Sequence, residues 1–194
     1  MDMVDPEIFL PIVRRHITGP LEIMMRAAVV EAAIIFCRNS KYLVDSKTLT
    51  GVIAGQAITV CTDDNLKSSD LNSIVGGDGE LLSGGIDYIA ISANQLKALR
   101  DIPSMTIGYN VEPIQSASSL PKPIYDDHAE TIAFGAAKIL YLQPGMPWTD
   151  GKRAQLYGAE FTEGYRRAAR FRLAQSNELV QSEFSNPVRA RGFF

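Results

Sequence analysis

The chain has 194 residues, of which 46% are hydrophobic, and this composition supports one folded domain with a substantial core. Its apolar runs are shorter than a membrane span, and Asp2 and Asp5 stand where a signal peptide would be basic, so we expect an intracellular protein without membrane contact. Cys37 and Cys61 lack metal-binding spacing, and we expect both to be reduced core residues.

The charge is distributed unevenly along the chain. Residues 1–150 carry 11 basic and 18 acidic side chains, whereas residues 151–194 carry 8 basic and 4 acidic ones. A basic C-terminal part on an acidic body is typical of a protein that docks to an acidic surface or to nucleic acid, rather than of one that coats DNA with its whole surface. For the charges at 152–172, the alternative is a solvated helix face.

Two helices are predicted at the N-terminus. Asp5 followed by Pro6 is a strong helix start, and Pro11 means either that the helix begins again there or that a single turn precedes it. This element should end after His16. The next helix, over residues 21–37, is apolar on two faces. Such a helix is buried on two sides, either inside its own bundle or against a neighbouring subunit.

The middle of the chain favours short antiparallel strands, because apolar residues there recur with a period of two. Ser92 and Gln95 have capping-box spacing, which predicts a short helix among the strands. Residues 112–123 are predicted to be a linker. The candidate strands are 58–61, 86–90 and 105–111, and glycine-rich turns are predicted at 76–79 and 83–85.

Two further helices joined by an elbow follow the linker. Asp127 is the predicted N-cap of the first, with Glu130 completing a capping box. Alanines on the inner face of this helix should allow another backbone to approach closely. Together with the apolar helix at 21–37, this face is expected to need more partners than one small bundle provides, and hence a neighbouring subunit. Thr149 or Asp150 should cap the second helix, whose opposite face is basic. The inner alanines are Ala129, Ala133 and Ala136. The predicted core stripe of the second helix is Ala154, Tyr157, Phe161, Tyr165, Ala168 and Arg172 or Phe171.

The elbow between these helices is predicted to be structural, with the Trp148 ring plugging it. Its residues are Pro144, Pro147, Trp148 and Asp150. The predicted fold class is α+β: residues 1–45 and 120–176 form an antiparallel bundle of about four helices, residues 46–119 form an inserted small antiparallel β-sheet or β-barrel, and residues 177–194 form an extended C-terminal tail. With His16 and His128 the only histidines, we expect no catalytic, cofactor or metal site.

Four segments, taken together, resemble the head-to-tail adaptor (connector) proteins of tailed bacteriophages, the group that includes tail tubular protein A. They are DPEIFLP at 5–11, AAIIFCR at 32–38, DDHAETIAFGA at 126–136 and PGMPWTD at 144–150. Their order and separation span nearly the whole chain. Residues 50–104 match only in their pattern of short strands.

The resemblance implies a non-enzymatic virion protein at the head-tail junction, made in the host bacterial cytoplasm. Such adaptors form rings, usually dodecameric, between the portal protein and a tail nozzle or tail tube protein, and DNA passes through the lumen without sequence-specific contacts. The C-terminal segment reaches along the portal. Here it ends with two arginines and two phenylalanines, residue types that carry binding energy at interfaces. The predicted portal-docking residues are Pro187, Val188, Arg189, Arg191, Phe193 and Phe194.

Two other functions stay open on the residues alone. An enzyme of a phage or its host would need a pocket with convergent, perturbed acids. A DNA-binding regulator would use the elbow at Trp148 as a helix-turn-helix, although Pro144 and Pro147 lengthen the turn beyond what that motif needs.

Overall fold

The computed structural model describes residues 1–178, with side chains through 175, and its mixture of helices and antiparallel strands confirms the α+β class. A short 3₁₀ turn, Pro6–Phe9, precedes the first helix. The helices are α1 Leu10–His16, α2 Glu22–Ser40, α3 Lys122–Tyr141 and α4 Gly151–Glu178. The strands are β1 Met3–Val4, β2 Val44–Val52, β3 Ala57–Thr59, β4 Leu66–Gly76, β5 Tyr88–Ser92, β6 Gln95–Ala98, β7 Ile102–Pro113 and β8 Leu120–Pro121.

The first helix begins and ends as predicted. Asp5 Oδ1 accepts a hydrogen bond of 2.8 Å from the Glu7 backbone N–H, and the single turn it caps leads into α1 with Pro11 in its first turn. Of the two alternatives at this proline, the structure has the single turn followed by a new helix. Proline lacks a backbone N–H. The first turn of a helix tolerates this, because N–H groups there have no hydrogen-bond acceptor within the helix.

Helix α2 extends three residues beyond its predicted end and stops where Lys41 adopts the left-handed conformation, with φ 51°. Its second half is buried nearly all round, because α3 and α4 cover one side and β7 another. Its first turns are different: Ile23 is 74% exposed, and Ala27 is exposed too. The chain itself therefore provides the predicted two-sided burial only beyond Ala27.

The predicted capping box at Asp127 is wrong. Helix α3 begins at Lys122, and the backbone departs from helical geometry within it at His128, with φ −136° and ψ 17°. Asp127 Oδ2 accepts a hydrogen bond of 2.6 Å from the Tyr42 hydroxyl, and Glu130 Oε1 lies 2.8 Å from His16 Nε2. Both carboxylates are thus taken by side chains distant in sequence, and Pro123 in the first turn starts the helix earlier.

The small inner face of α3 is covered within the chain itself. Ala133 and Ala136 are fully buried, so they pack inside this bundle and leave nothing for a neighbouring subunit to cover, contrary to our expectation. Gly135 shows how close the packing is: a Cβ placed there would lie 2.8 Å from the Phe161 ring of α4 and 2.9 Å from Ala32 of α2. A methyl group at residue 135 would therefore overlap both helices.

Two three-stranded antiparallel sheets form the β part, in the orders β2-β7-β4 and β3-β6-β5. The long strand β7 is central to the first sheet and contains the predicted strand 105–111. The short helix predicted after Ser92 is wrong, because β6 lies there and buries Leu96 between β3 and β5. The predicted linker at 112–123 instead contains the end of β7 and strand β8, which pairs with β1. The proposed domain limits stay a prediction.

Glu112 joins the helices to the first sheet. This carboxylate at the end of β7 is 3% exposed and receives two hydrogen bonds from the Arg38 guanidinium of α2, at 2.9 and 2.7 Å. Lys67 Nζ of β4 lies 3.3 Å away. Burial opposes ionisation of Glu112, but the bonds from both cations outweigh it and hold its pKa below the usual value.

This lowered pKa predicts a specific loss of stability in acid. Ionised Glu112 stabilises the fold above its ordinary pKa of about 4.3, and this contribution is lost as the pH falls through the lower pKa of the folded state. Glu112→Gln should therefore flatten the dependence of the free energy of unfolding on pH below about pH 4, measured by urea titration at several pH values. Glu31→Gln, an exposed control on α2, should keep the wild-type dependence. An unchanged profile in Glu112→Gln would contradict this assignment.

The close approach at Gly135 predicts opposite effects for two glycine substitutions. Gly135→Ala should destabilise the protein by about 1–3 kcal/mol through overpacking. Gly158→Ala is the matched control: its Cβ would meet only the flexible Lys138 side chain, at 3.4 Å, so the better helix propensity of alanine should leave the protein equally or more stable, by up to ~1 kcal/mol. Chemical denaturation of both variants measures the difference. Equal stabilities would show that the bundle can relax around residue 135.

Candidate assembly surfaces

The predicted elbow lies in the loop at residues 142–150, which connects α3 to α4. Asp150 is the cap, as expected, because its Oδ1 accepts hydrogen bonds of 3.0 and 3.1 Å from the backbone N–H groups of Lys152 and Arg153. Thr149 braces the loop instead: its hydroxyl donates to the carbonyl of Gln143 and accepts from the N–H of Met146. The loop is longer than the three- or four-residue turn of a helix-turn-helix, which gives no support to that alternative.

The Trp148 ring lies over Gly19, in the connection between α1 and α2. A Cβ on Gly19 would be 3.1 Å from Trp148 Cε3, and Gly19 has a positive φ of 110° that favours glycine. The ring is half-buried against the core, and its Nε1 is buried without a hydrogen-bond partner among the described residues. Pro144 and Pro147 are exposed on the outside of the loop.

A cluster of aromatic side chains fixes the same end of the bundle. The Tyr141 hydroxyl donates a hydrogen bond of 2.7 Å to the backbone carbonyl of His16, and it accepts one of 3.1 Å from Arg153. The Tyr141 and Tyr157 rings are parallel, with centroids 5.8 Å apart. Helices α1, α3 and α4 therefore meet at the elbow, and the elbow residues serve this junction.

At the other end of the bundle lie two side chains with shifted pKa values, Tyr42 and His128. Burial, and then the hydrogen bond to Asp127, raise the pKa of Tyr42 to about 12. Burial lowers the pKa of His128, whose ring packs between Phe36 and Tyr42. At neutral pH the tyrosine is thus a protonated donor to a carboxylate and the histidine is neutral. The contacts of these groups hold the kink in α3 against α2, beside a cavity of about 310 Å³ that reaches Phe171 of α4.

Helix α2 presents an apolar face at the elbow end that no residue in 1–175 covers. Ile23 and Ala27 lie in the floor of a groove of about 820 Å³ between α2 and the segment that follows β7, which includes Ala117. Glu7 and Glu22 line its rim together with Arg26, whose guanidinium is engaged by Glu7 at 2.8 Å. The sequence predicts the apolar stripe of α2, and the structure shows that the chain covers only the part of it beyond Ala27.

Helix α4 has a second face that the described residues leave uncovered, opposite its core stripe. The predicted stripe is confirmed as far as Ala168, since Ala154, Phe161 and Ala168 are buried. Its predicted continuation to Phe171 is wrong, because that ring is 55% exposed near the end of the helix. On the outer side Leu156 is 59% exposed, although it was not singled out from the sequence. The sequence does contain a signal for this exposure, because Leu156 lies about half a turn away from the core stripe. The basic residues lie exposed on α4 as expected: Lys152, Arg153, Arg166, Arg167 and Arg170.

The second sheet has an unprotected edge at β5. Among the described strands it pairs with β6, and Tyr88 at its start forms an isolated bridge with Gly84. Ile89 and Ile91 on one of its faces are 48% and 58% exposed. Ile86, just before it, is also exposed. Edge strands of monomeric proteins are commonly shielded by charges or proline, and β5 carries neither. An apolar edge of this kind is typical of a surface that another chain covers.

Residues 187–194, the predicted portal-docking segment, lie outside the described residues. Within residues 1–178, no three His, Cys, Asp or Glu side chains come together in a way that could hold a metal ion. None of the helices described is long and apolar enough to cross a membrane.

No protein-family model matches this chain, and no curated protein matches its sequence. Among solved structures, it is similar to a chain of "Neck of empty GTA particle computed with C6 symmetry", a gene transfer agent particle. The two are 16% identical with a TM-score of 0.26, and the alignment covers 81% of this chain and 95% of that one. A TM-score this low does not establish a common fold.

The position of Trp148 predicts a structural role for its ring. Trp148→Ala should lower the free energy of unfolding by about 3 kcal/mol, the low end for loss of a large aromatic side chain, because the ring is only half-buried. Trp148→Phe should lose much less, since Nε1 has no partner to lose. Chemical denaturation of both variants measures these values. A wild-type stability for Trp148→Ala would show that the ring does not hold the junction.

Proposed function

We propose that this chain is a structural subunit of a phage-like particle neck, a head-to-tail adaptor that assembles as a ring of identical copies between portal and tail. The observation that supports this most strongly is the presence of three separate apolar surfaces that the described part of the chain leaves uncovered: the α2 groove, the outer face of α4 and the β5 edge. Burying apolar surface contributes roughly 25 cal/mol per Å², so each surface favours association.

The distribution of these surfaces favours a ring over a simple dimer. A two-fold dimer uses one patch on both partners, whereas a ring needs two different patches on each copy. The bundle has two, on α2 and α4, and the β5 edge is a third surface for a partner along the ring axis. In the proposed assembly that partner is the tail nozzle or tail tube protein.

The finer parts of the proposal come from the resemblance of the four sequence segments to head-to-tail adaptors. They are a dodecameric ring, a lumen through which DNA passes without sequence-specific contacts, and docking to the portal by Pro187–Phe194. The protein has no catalytic activity or cofactor in this proposal. It acts at the head-tail junction of the virion after synthesis in the host cytoplasm.

Electron microscopy of the full chain with the portal protein of the same particle tests the proposal. We expect rings of the chain stacked on portal rings, with the same rotational order across the contact or a simple multiple of it. The chain alone can be monomeric. If sedimentation shows no association with the portal and no self-association at high concentration, the adaptor function is wrong.

The docking segment is tested by a chain that ends at Asn186. It should keep the wild-type helix content by circular dichroism, because the described helices end at Glu178, and it should fail to cosediment with portal rings. Arg189→Ala with Arg191→Ala should weaken docking and reduce its salt dependence if acidic portal groups are the partners. Wild-type binding by the shortened chain would exclude this segment as the anchor.

A further inference from the structure

We infer that neighbouring copies contact each other through two particular helix faces: the α2 face at Ile23 and Ala27 of one copy packs on the α4 face at Leu156 and Ala159 of the next. This inference rests on the proposed ring and names the surfaces that form it. The partner of the α2 groove is accordingly a second copy of this chain.

Both faces have the form that helix packing requires. Ile23 and Leu156 are large and mostly exposed, and each has an exposed alanine one turn along the same helix face. A large side chain beside a small one on each helix lets the ridge of one face enter the groove of the other. The cavity over Ile23 and Ala27 provides the space in which this occurs.

The two faces lie at the same height along the bundle. A Cβ on Gly135 would contact both Ala32 of α2 and Phe161 of α4, so these two residues lie at the same height along the bundle axis. Both helices start at the elbow end, where Trp148 covers Gly19, and run in the same direction. Ala27 and Leu156 each lie five residues before the level pair. A rotation about an axis parallel to the bundle preserves height, so a ring brings these two residues together.

The two faces also point in different directions. The inner side of α2 packs on α3 and α4 through residues such as Ala32, and the inner side of α4 packs on α2 and α3 through Phe161. The outer faces are the opposite sides of these two helices. They are different patches on one chain, and contact between them is heterologous, which propagates from copy to copy until a ring closes.

The charges around the two faces are complementary at the elbow end. The basic residues of α2 are already engaged within the chain, Arg38 by Glu112 and Arg26 by Glu7. Lys152, one turn before Leu156 on α4, has no ion pair among the described residues and is level with Ile23, next to the acidic rim of the α2 groove. This arrangement attracts the two faces at that end. One turn beyond Ala27 the exposed Glu31 is level with the exposed Glu160, so the attraction is confined to the elbow end.

Cysteine cross-linking of the full chain in the presence of the portal protein tests the pairing. The variants are Ala27→Cys, Ala159→Cys and both together, treated with a short bis-maleimide. Native Cys37 and Cys61 are 0% and 7% exposed, so the wild type gives the background. We expect the double variant to give a ladder of covalent oligomers, each single variant to stay monomeric on a denaturing gel, and a mixture of the two single variants to give dimers only.

The matched control combines Ala159→Cys with Asn39→Cys, an exposed position on α2 about three turns from Ala27, and it should give no ladder. Cross-linked dimers of Ala27→Cys alone would show that α2 pairs with α2 and would overturn the inference. Oligomers seen by sedimentation without a ladder in the double variant would overturn the pairing and leave the adaptor function standing. A chain that stays monomeric with and without the portal would overturn both.

Discussion

The close packing of α3 against both α2 and α4 is the constraint on which the rest of this structure depends. At Gly135 a single added carbon would overlap Phe161 and Ala32, so the three helix axes approach one another as closely as side chains allow. This contact fixes the height of α4 relative to α2. It also decides which sides of the two helices face inward, and hence which apolar side chains, Ile23 and Leu156 among them, are left in solvent.

The β part is attached to this bundle by polar as well as apolar contacts. Tyr109 and Val111 of β7 are buried in the common core, while Glu112, the next residue, is a buried carboxylate held by cations from α2 and β4. Removing one partner of such a pair leaves an uncompensated charge, so the pair fixes the orientation of the first sheet on the helices more specifically than apolar contact alone would.

Exposed apolar surface connects this fold to the function we propose. A small domain is only marginally stable, and large isoleucine and leucine side chains left in water add nothing to that stability. Their placement at three separate sites, on two helices and one strand edge, is more readily explained by contacts between chains than by the folding of one chain. The chemistry of the described residues agrees with this, since the perturbed groups Tyr42 and His128 are engaged in packing the α3 kink.

The sequence by itself determined the local features whose cause is local. Asp5 and Asp150 cap helices because their neighbours in sequence provide the N–H groups, and the stripe through Phe161 is buried because its period matches the helix. The α+β class followed from the two periodicities. Strand β2 was missed because it is mostly exposed and needs no alternating pattern, and β4 because shifts in its register interrupt one.

Only the tertiary structure decided the features that depend on a distant partner. Tyr42 and His16 take the carboxylates that local spacing had assigned to a capping box, and neighbouring strands bury Leu96 where local spacing had predicted a helix. The same holds for the candidate surfaces. The sequence of a helix shows that it has an apolar face, but it does not show which other elements pack on that face. Whether Ile23 or Val29 meets solvent depends on where α3, α4 and β7 come to lie, which no stretch of α2 encodes alone.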